Sequence, residues 1–255
     1  MDIQKAIDRY VSGESVQSIV KSSDIKNGSL YYHLKKNGVT RSNRVNSRRY
    51  YLDESYFSDI DSQEKAYWLG YIFADGYVSS TEGKRFGVTS KDIDHLEKLR
   101  DHLSSTYPVN IYTAETTYGE ATYGRLLVSS DRVYDDLVSL GCVEHKSKTL
   151  LPPIIKKELE RHFLRGFYDG DGSIAKSKNS ASGYKLSILG TKEMVCWIKD
   201  RLSGSLWFDE RKQIWYLDTT ITKERLDYLY EGATVCLQRK FSRVLAARQR
   251  LSKTV

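Results

Sequence analysis

Two nine-residue segments constrain this chain more than anything else in it: Trp68 to Gly76, WLGYIFADG, and Leu164 to Gly172, LRGFYDGDG. Gly70, Ala74, Asp75 and Gly76 of the first recur as Gly166, Gly170, Asp171 and Gly172 of the second, each 96 positions later. The similarity continues downstream, where LRDHLS (99–104) resembles IKDRLS (198–203) and Val128–Ser130 lines up with Asp218–Thr220. Two copies of one unit predict a pseudo-dimer within a single polypeptide. In each copy two small residues stand four apart, which puts them on one face of a helix and lets two such helices approach backbone to backbone. Each helix is expected to end at Asp-Gly, with Gly76 and Gly172 free to adopt a left-handed stop. A carboxylate at a helix C-terminus lies beside the negative end of the dipole and calls for a cation. Asp75 and Asp171 brought together would form an anionic pocket whose hard oxygen ligands suit Mg²⁺, with Mn²⁺ as a substitute.

The two segments resemble the paired motifs of single-chain LAGLIDADG homing endonucleases, and the similarity in organisation extends over about residues 53 to 245. The resemblance implies an α+β fold: duplicated αββαββα halves, motif helices at their interface, and two sheets forming a pseudo-two-fold saddle on DNA. It implies that Asp75 and Asp171 bind the metal ions that cut both strands across the minor groove, leaving short 3′ overhangs. It further implies a basic residue from each half, carried by the segment after that half's last helix. Those segments are CVEHKSK (142–148) and CLQRK (236–240), so Lys146, Lys148, Gln238 and Lys240 are the candidates, with Lys148 and Lys240 the expected pair. Where family members often hold a glutamine to position water, this chain has Ser90 and Gly190. Between the copies, Phe73 faces Asp169 in the alignment; Phe73 is expected to be packed and Asp169 to lie at the interface edge or to pair with Arg165.

Alternating and β-rich runs follow each motif: 77–79, 85–89, 109–113 and 125–128, then 173–175, 184–189, 206–210 and 214–219. Helices are expected from about Asp92 and Lys192 and over 132–140 and 223–230. Lys84, Arg85, Tyr112, Tyr123, Arg125, Lys185, Arg211, Lys212 and Tyr216 are read as solvent-facing strand residues suited to base edges and phosphates.

Ahead of the repeat, Ile3, Ala6, Ile7, Tyr10 and Val11 recur at helical spacing, Ser12 and Gly13 break it, and Ser15 can cap a short second helix. A third stretch, Ser29 to Lys36, keeps Leu30 and Leu34 inward and Tyr31, Tyr32, His33, Lys35 and Lys36 outward, the pattern of a helix-turn-helix. It resembles that of site-specific recombinases and transposases, with Ser29 to Lys36 as recognition helix. Arg41, Arg44, Arg48 and Arg49 then sit among Ser and Asn as a basic linker able to follow phosphates. The expected organisation is a helix-turn-helix domain at 1–40, a linker at 41–58, a first half at 59–155, and a second half at 156–255 with a basic tail.

Charge supports a polyanionic partner. The chain carries +7 overall, +6 of it within residues 1–52 and +6 within 239–255, leaving the centre net acidic. Three cysteines at wide spacing argue against a disulfide framework or zinc cluster. No apolar run is long enough to span a membrane, and MDIQKAIDRY lacks the order of a secretory signal, so a cytoplasmic protein is expected. The termini lack the residues that intein splicing needs. The reading is therefore a monomeric endonuclease acting on double-stranded DNA. A non-catalytic DNA-binding regulator on the same scaffold, or an RNA maturase for intron splicing, is the alternative.

Overall fold

The computed structural model describes residues 2–12, 14, 16–39, 50–117, 119–178, 180 and 182–252. The expectations for Gly13, Ser15, Arg41, Arg44, Arg48, Arg49 and the last three residues lie outside that set. The chain divides into two compact units, Met1–Tyr51 and Leu52–Val255.

The smaller unit holds helices α1 (Ile3–Val11), α2 (Val16–Lys21) and α3 (Asn27–Lys36). The Asp2 carboxylate caps α1 by accepting the Gln4 N–H. Ala6, Ile7, Val16, Ile19, Leu30 and Leu34 form its core. Each larger aliphatic side chain among them is worth roughly 1.5–3 kcal/mol when fully buried. Tyr31 and Tyr32 remain exposed on α3, which begins two residues before the expected Ser29.

The larger unit repeats one pattern. Helix α4 (Gln63–Asp75) is followed by β1 (Gly76–Ser79), β2 (Arg85–Ser90), α5 (Ile93–His102), β3 (Val109–Thr116), β4 (Gly119–Ser129) and α6 (Asp131–Ser139). The second copy runs α7 (Glu160–Asp171), β5 (Gly172–Lys176), β6 (Tyr184–Gly190), α8 (Lys192–Leu202), β7 (Ser205–Asp209), β8 (Ile214–Thr220) and α9 (Lys223–Tyr230). Both sheets are antiparallel and have the same order, β1-β2-β4-β3 and β5-β6-β8-β7. One face of each sheet buries alternate residues, Val78, Phe86, Val88, Leu126 and Val128 in the first and Ile174, Leu186, Ile188 and Leu217 in the second. Ser62, Ser130, Thr191 and Thr222 accept N–H bonds as side-chain caps, which fixes where four of the helices begin.

Four expectations need correction. Residues 52–58 are not linker: Asp53 N–H donates to the Leu103 carbonyl, and Tyr56 and Phe57 are buried, because two adjacent aromatics find an apolar seat once the basic run ends. The basic C-terminal tail is a helix, α10 (Gln238–Leu251), anchored through buried Val244 and Ala247. Gly76 (φ −84°) and Gly172 (φ −93°) are extended rather than left-handed. Glycine is needed there because each chain passes straight from helix to strand: a Cβ would lie 2.7 Å from the Ile72 carbonyl oxygen at Gly76 and 2.4 Å from that of Tyr168 at Gly172. Finally, Lys84 precedes β2, and Arg211 and Lys212 sit in the turn between β7 and β8, so these three are not strand residues.

Candidate active site

The site begins with the contact between α4 and α7. A Cβ on Gly70 would stand 2.0 Å from the Phe163 carbonyl oxygen, and one on Gly166 would stand 1.9 Å from that of Tyr67. No side chain separates the two backbones at this crossing. Buried Tyr67, Trp68, Tyr71, Phe163 and Phe167 pack around it. The two C-termini emerge side by side, where the Cβ position of Gly170 lies 3.4 Å from the Asp75 carboxyl carbon.

Each helix end meets a lysine. Lys146 Nζ donates to the Ala74 carbonyl at 2.7 Å, and Lys240 Nζ donates to the carbonyls of Tyr168 (2.8 Å), Asp169 (2.6 Å), Gly170 (3.2 Å) and Gly172 (2.5 Å). They satisfy carbonyls that a helix terminus leaves open and place positive charge at the negative end of each dipole. Burial lowers both amines from their ordinary range, Lys240 to about 8. Lys146, and not the expected Lys148, is the lysine that meets the first helix end: Lys148 ends a 3₁₀ turn with its side chain exposed. Spacing carried the signal, since Lys146 and Lys240 each follow a cysteine, Cys142 and Cys236, by four residues.

The acids respond to the same surroundings. Burial, and then the charge of Asp75, lifts the Asp171 carboxyl to about 6. Burial also raises Asp75, against the pull of Lys240, Lys146 and Arg239, although one side of Asp75 is open to solvent. Among the described residues neither acid is held in an ion pair or hydrogen bond, and no cluster of three or more His, Cys, Asp or Glu side chains forms a ready metal cage. Two carboxylates at adjacent helix ends with no direct ion-pair partner suit a hard divalent cation that keeps water or substrate oxygens as its other ligands.

Asp169 neither sits at the interface edge nor pairs with Arg165. It is fully buried, accepting from the Tyr67 hydroxyl and the Leu237 N–H, both at 2.7 Å, and burial lifts its carboxyl to about 6. Arg165 donates instead to His162 and to the carbonyls of Leu229 and Val235. Asp169 thereby ties the start of α10, and with it Lys240, to the motif helices. Its counterpart Phe73 packs edge-on against Phe163 at 5.1 Å. Gln238 is exposed on a cleft of about 460 Å³ shared with Lys91, Asp92, His95 and Arg239, where Arg239 pairs with Asp92 at 2.8 Å. Ser90 is buried and bonded by the Tyr71 hydroxyl and the Asp92 N–H, while Gly190 borders a cavity of about 130 Å³ next to Lys146 and Asp171.

The remaining candidates spread over both units. Lys84 pairs with Asp135, Arg85 with Glu82 and Lys185 with Asp218, while Arg125 donates to the Tyr77 hydroxyl. Arg211 and Lys212 are exposed. On α3, Ser29, Tyr31, Tyr32, Lys35 and Lys36 are exposed and His33 is half-buried.

Taken together, the duplicated lobes, the backbone-close helix pair and the two terminal acids define a single-chain pseudo-dimer with its polar centre on the pseudo-two-fold axis. Residues 62–137 match the family model of the LAGLIDADG-like domain. Of solved structures, the homing endonuclease I-WcaI bound to its DNA recognition sequence is similar at 16% identity, covering 82% of this chain and 96% of that one with a TM-score of 0.52. The I-LtrWI LAGLIDADG homing endonuclease bound to target DNA matches at 14% identity, 78% and 92% coverage and a TM-score of 0.45. Among curated proteins, a "DNA polymerase" of Acanthamoeba polyphaga mimivirus is 23% identical over 208 residues. That match takes in 78% of this chain but only 10% of the relative, so the chain spans about a tenth of its length. The chain therefore contains a LAGLIDADG-like domain and has the LAGLIDADG homing endonuclease fold, duplicated in one polypeptide. Among the described residues no helix is long and apolar enough to cross a membrane.

Proposed function

We propose that this chain is a site-specific, divalent-metal-dependent endonuclease that cuts both strands of double-stranded DNA, acting as a monomer. The observation that carries the reading is the pair Asp75 and Asp171 at the ends of two helices in backbone contact, one end closed by the half-buried Lys146 and the other by the buried Lys240. A regulator needing only the scaffold has no use for two lifted carboxylates that, among the described residues, form no direct ion pair.

Asp75 and Asp171 would hold Mg²⁺. When bound, the ion supplies a Lewis acid for the phosphoryl oxygen and a more acidic water. Lys146 and Lys240 hold the two helix ends and set positive charge beside a phosphate entering between the acids. Asp169 positions Lys240 through the Leu237 N–H. The saddle faces of the sheets supply contacts to the duplex. Residues 1–40 act as a helix-turn-helix that adds phosphate contacts through Ser29, Tyr31, Tyr32, His33, Lys35 and Lys36, followed by Arg41, Arg44, Arg48 and Arg49.

Selection of cleaved sites from a randomised DNA library in Mg²⁺, with EDTA as control, tests the reading. Asp75→Asn and Asp171→Asn should each abolish double-strand cutting while leaving affinity within a few-fold. Full cutting by both variants, or no cutting by the parent chain, would refute the assignment.

A further inference from the structure

The two sheets correspond rung for rung through their registers. The glycine after each motif acid opens a row across its sheet, Gly76–Val88–Leu126–Val109 in one and Gly172–Ile188–Leu217–Leu206 in the other. The central members of both rows face the buried side. One residue further along, on the opposite face, come Thr89–Arg125–Asn110 and Leu189–Tyr216–Trp207. Arg125 of the first half thus stands where the second half carries Tyr216, and Asn110 where it carries Trp207. Both rungs are one strand residue from the row that starts beside Asp75 or Asp171, so they are equally distant from the two acids.

The two rungs offer opposite chemistry. Arg125 donates to the Tyr77 hydroxyl at 2.5 Å, with its guanidinium 5.9 Å from the Tyr77 ring. Tyr77 itself lies against Gly87, where a Cβ would come within 2.7 Å of the ring. The arginine fork is therefore held in place before any ligand arrives. In the other half, the Trp207 and Tyr216 rings stack at 4.2 Å with planes 6° apart, Trp207 is 42% exposed, and Lys212 Nζ donates to the Tyr216 hydroxyl at 3.3 Å. That rung presents apolar ring surface.

We propose that these two rungs make the DNA target asymmetric at one pair of symmetry-related positions: Arg125 reads a guanine, and the Trp207–Tyr216 stack reads the 5-methyl group of a thymine. Arginine matches the O6 and N7 acceptors of guanine in the major groove, whereas thymine alone offers a methyl group there. The inference rests on the DNA-endonuclease reading above.

The test is selection of bound sites from a randomised duplex library by the full chain in Ca²⁺, followed by binding of the enriched duplex with deoxyuridine replacing single thymines. Expected is a guanine in one half-site and a thymine at its mirror position. Arg125→Ala should relax the guanine about tenfold and leave the thymine untouched, and Trp207→Ala should do the reverse. Deoxyuridine at that thymine should weaken the parent chain about threefold and Trp207→Ala not at all. Arg125→Lys, which keeps the charge and loses the fork, should relax the same guanine and guards against a folding defect in the alanine variant. An enriched site lacking this guanine–thymine pair, or variants that change neither position, overturns the inference and leaves the endonuclease reading standing. Absence of any enriched or cleaved sequence overturns both.

Discussion

Replacing Gly70 or Gly166 by alanine probes the contact on which the site depends. The added carbon would stand 2.0 Å from the Phe163 carbonyl oxygen or 1.9 Å from that of Tyr67, where real Cβ contacts do not fall below 3.0 Å. The helices must therefore part by about 1 Å. Adding a methylene to a packed core costs about 1–3 kcal/mol when side chains can yield. Here the obstacle is helical backbone, which puts each variant near the top of that range, about 3 kcal/mol. With a urea m-value of about 2 kcal/mol/M, the midpoint should fall by about 1.5 M. Parting the helices also parts Asp75 from Asp171, and a misplacement of about 1 Å can cost on the order of 100-fold in rate. Gly170→Ala gives an internal control, because the atom closest to its new Cβ is the Ala74 Cβ at 2.3 Å, and the next are at 3.3–3.4 Å. The double variant Ala74→Gly, Gly170→Ala should thus recover most of the stability lost by Gly170→Ala alone, a coupling read from a double-mutant cycle. A midpoint drop below about 0.5 M in both Gly70→Ala and Gly166→Ala would refute backbone-to-backbone packing, and with it the placement of the acids.

Two further perturbations address the surroundings of the site. Lys240→Met leaves four carbonyls without their donor and should cost about 3 kcal/mol in urea melts while abolishing cleavage; Lys146→Met should abolish cleavage too, and Lys148→Met should change stability by less than about 0.5 kcal/mol. His95 is buried against Tyr67, and burial drops its imidazole from 6.5 to about 3. Stability owed to neutral His95 is complete above pH 6.5 and is lost as pH falls toward 3, reaching about 2 kcal/mol at pH 5. Asp169 and Asp171, with carboxyls lifted to about 6, act in the opposite direction over the same range. The readout is therefore the difference between parent and His95→Gln, which should narrow by about 2 kcal/mol between pH 7 and pH 5; a constant difference would show that the imidazole is not kept neutral.

The parts of this molecule legible in sequence are those where local chemistry and fold demand the same residue. Small residues four apart on a motif helix have one use, and Asp75 with Asp171 followed from their duplication. Strands outrun the predicted runs where exposure removes the apolar alternation: β4 begins at Gly119, six residues before the expected Arg125, on a hairpin arm carrying Tyr112 and Tyr123. Helix α10 is illegible in the sequence because its apolar positions are few and its charges resemble those of a tail, although Val244 and Ala247 are buried. The shared Cys-to-Lys spacing carries the lysine register, and Lys148 two residues on obscures it in the first half. The match of Val128 with Asp218 slips by one, since the registers place Leu127 opposite Asp218 in the duplication, and a slip of one exchanges the faces of a strand.

What no repeat can reveal is where the copies diverge on purpose. Phe73 and Asp169 occupy one position in the duplication, yet one fills a core and the other bonds the Leu237 N–H that starts α10. The first half closes its helix with a lysine from a 3₁₀ turn making one bond to a carbonyl, and the second with a lysine on a helix making four. A symmetric duplex site would impose equal demands on both halves. Under the proposed endonuclease reading, side chains this unequal around two equivalent acids, together with the unlike rungs of Arg125 and Tyr216, would let each half fit its own side of an asymmetric target while the shared helix crossing keeps the two acids together.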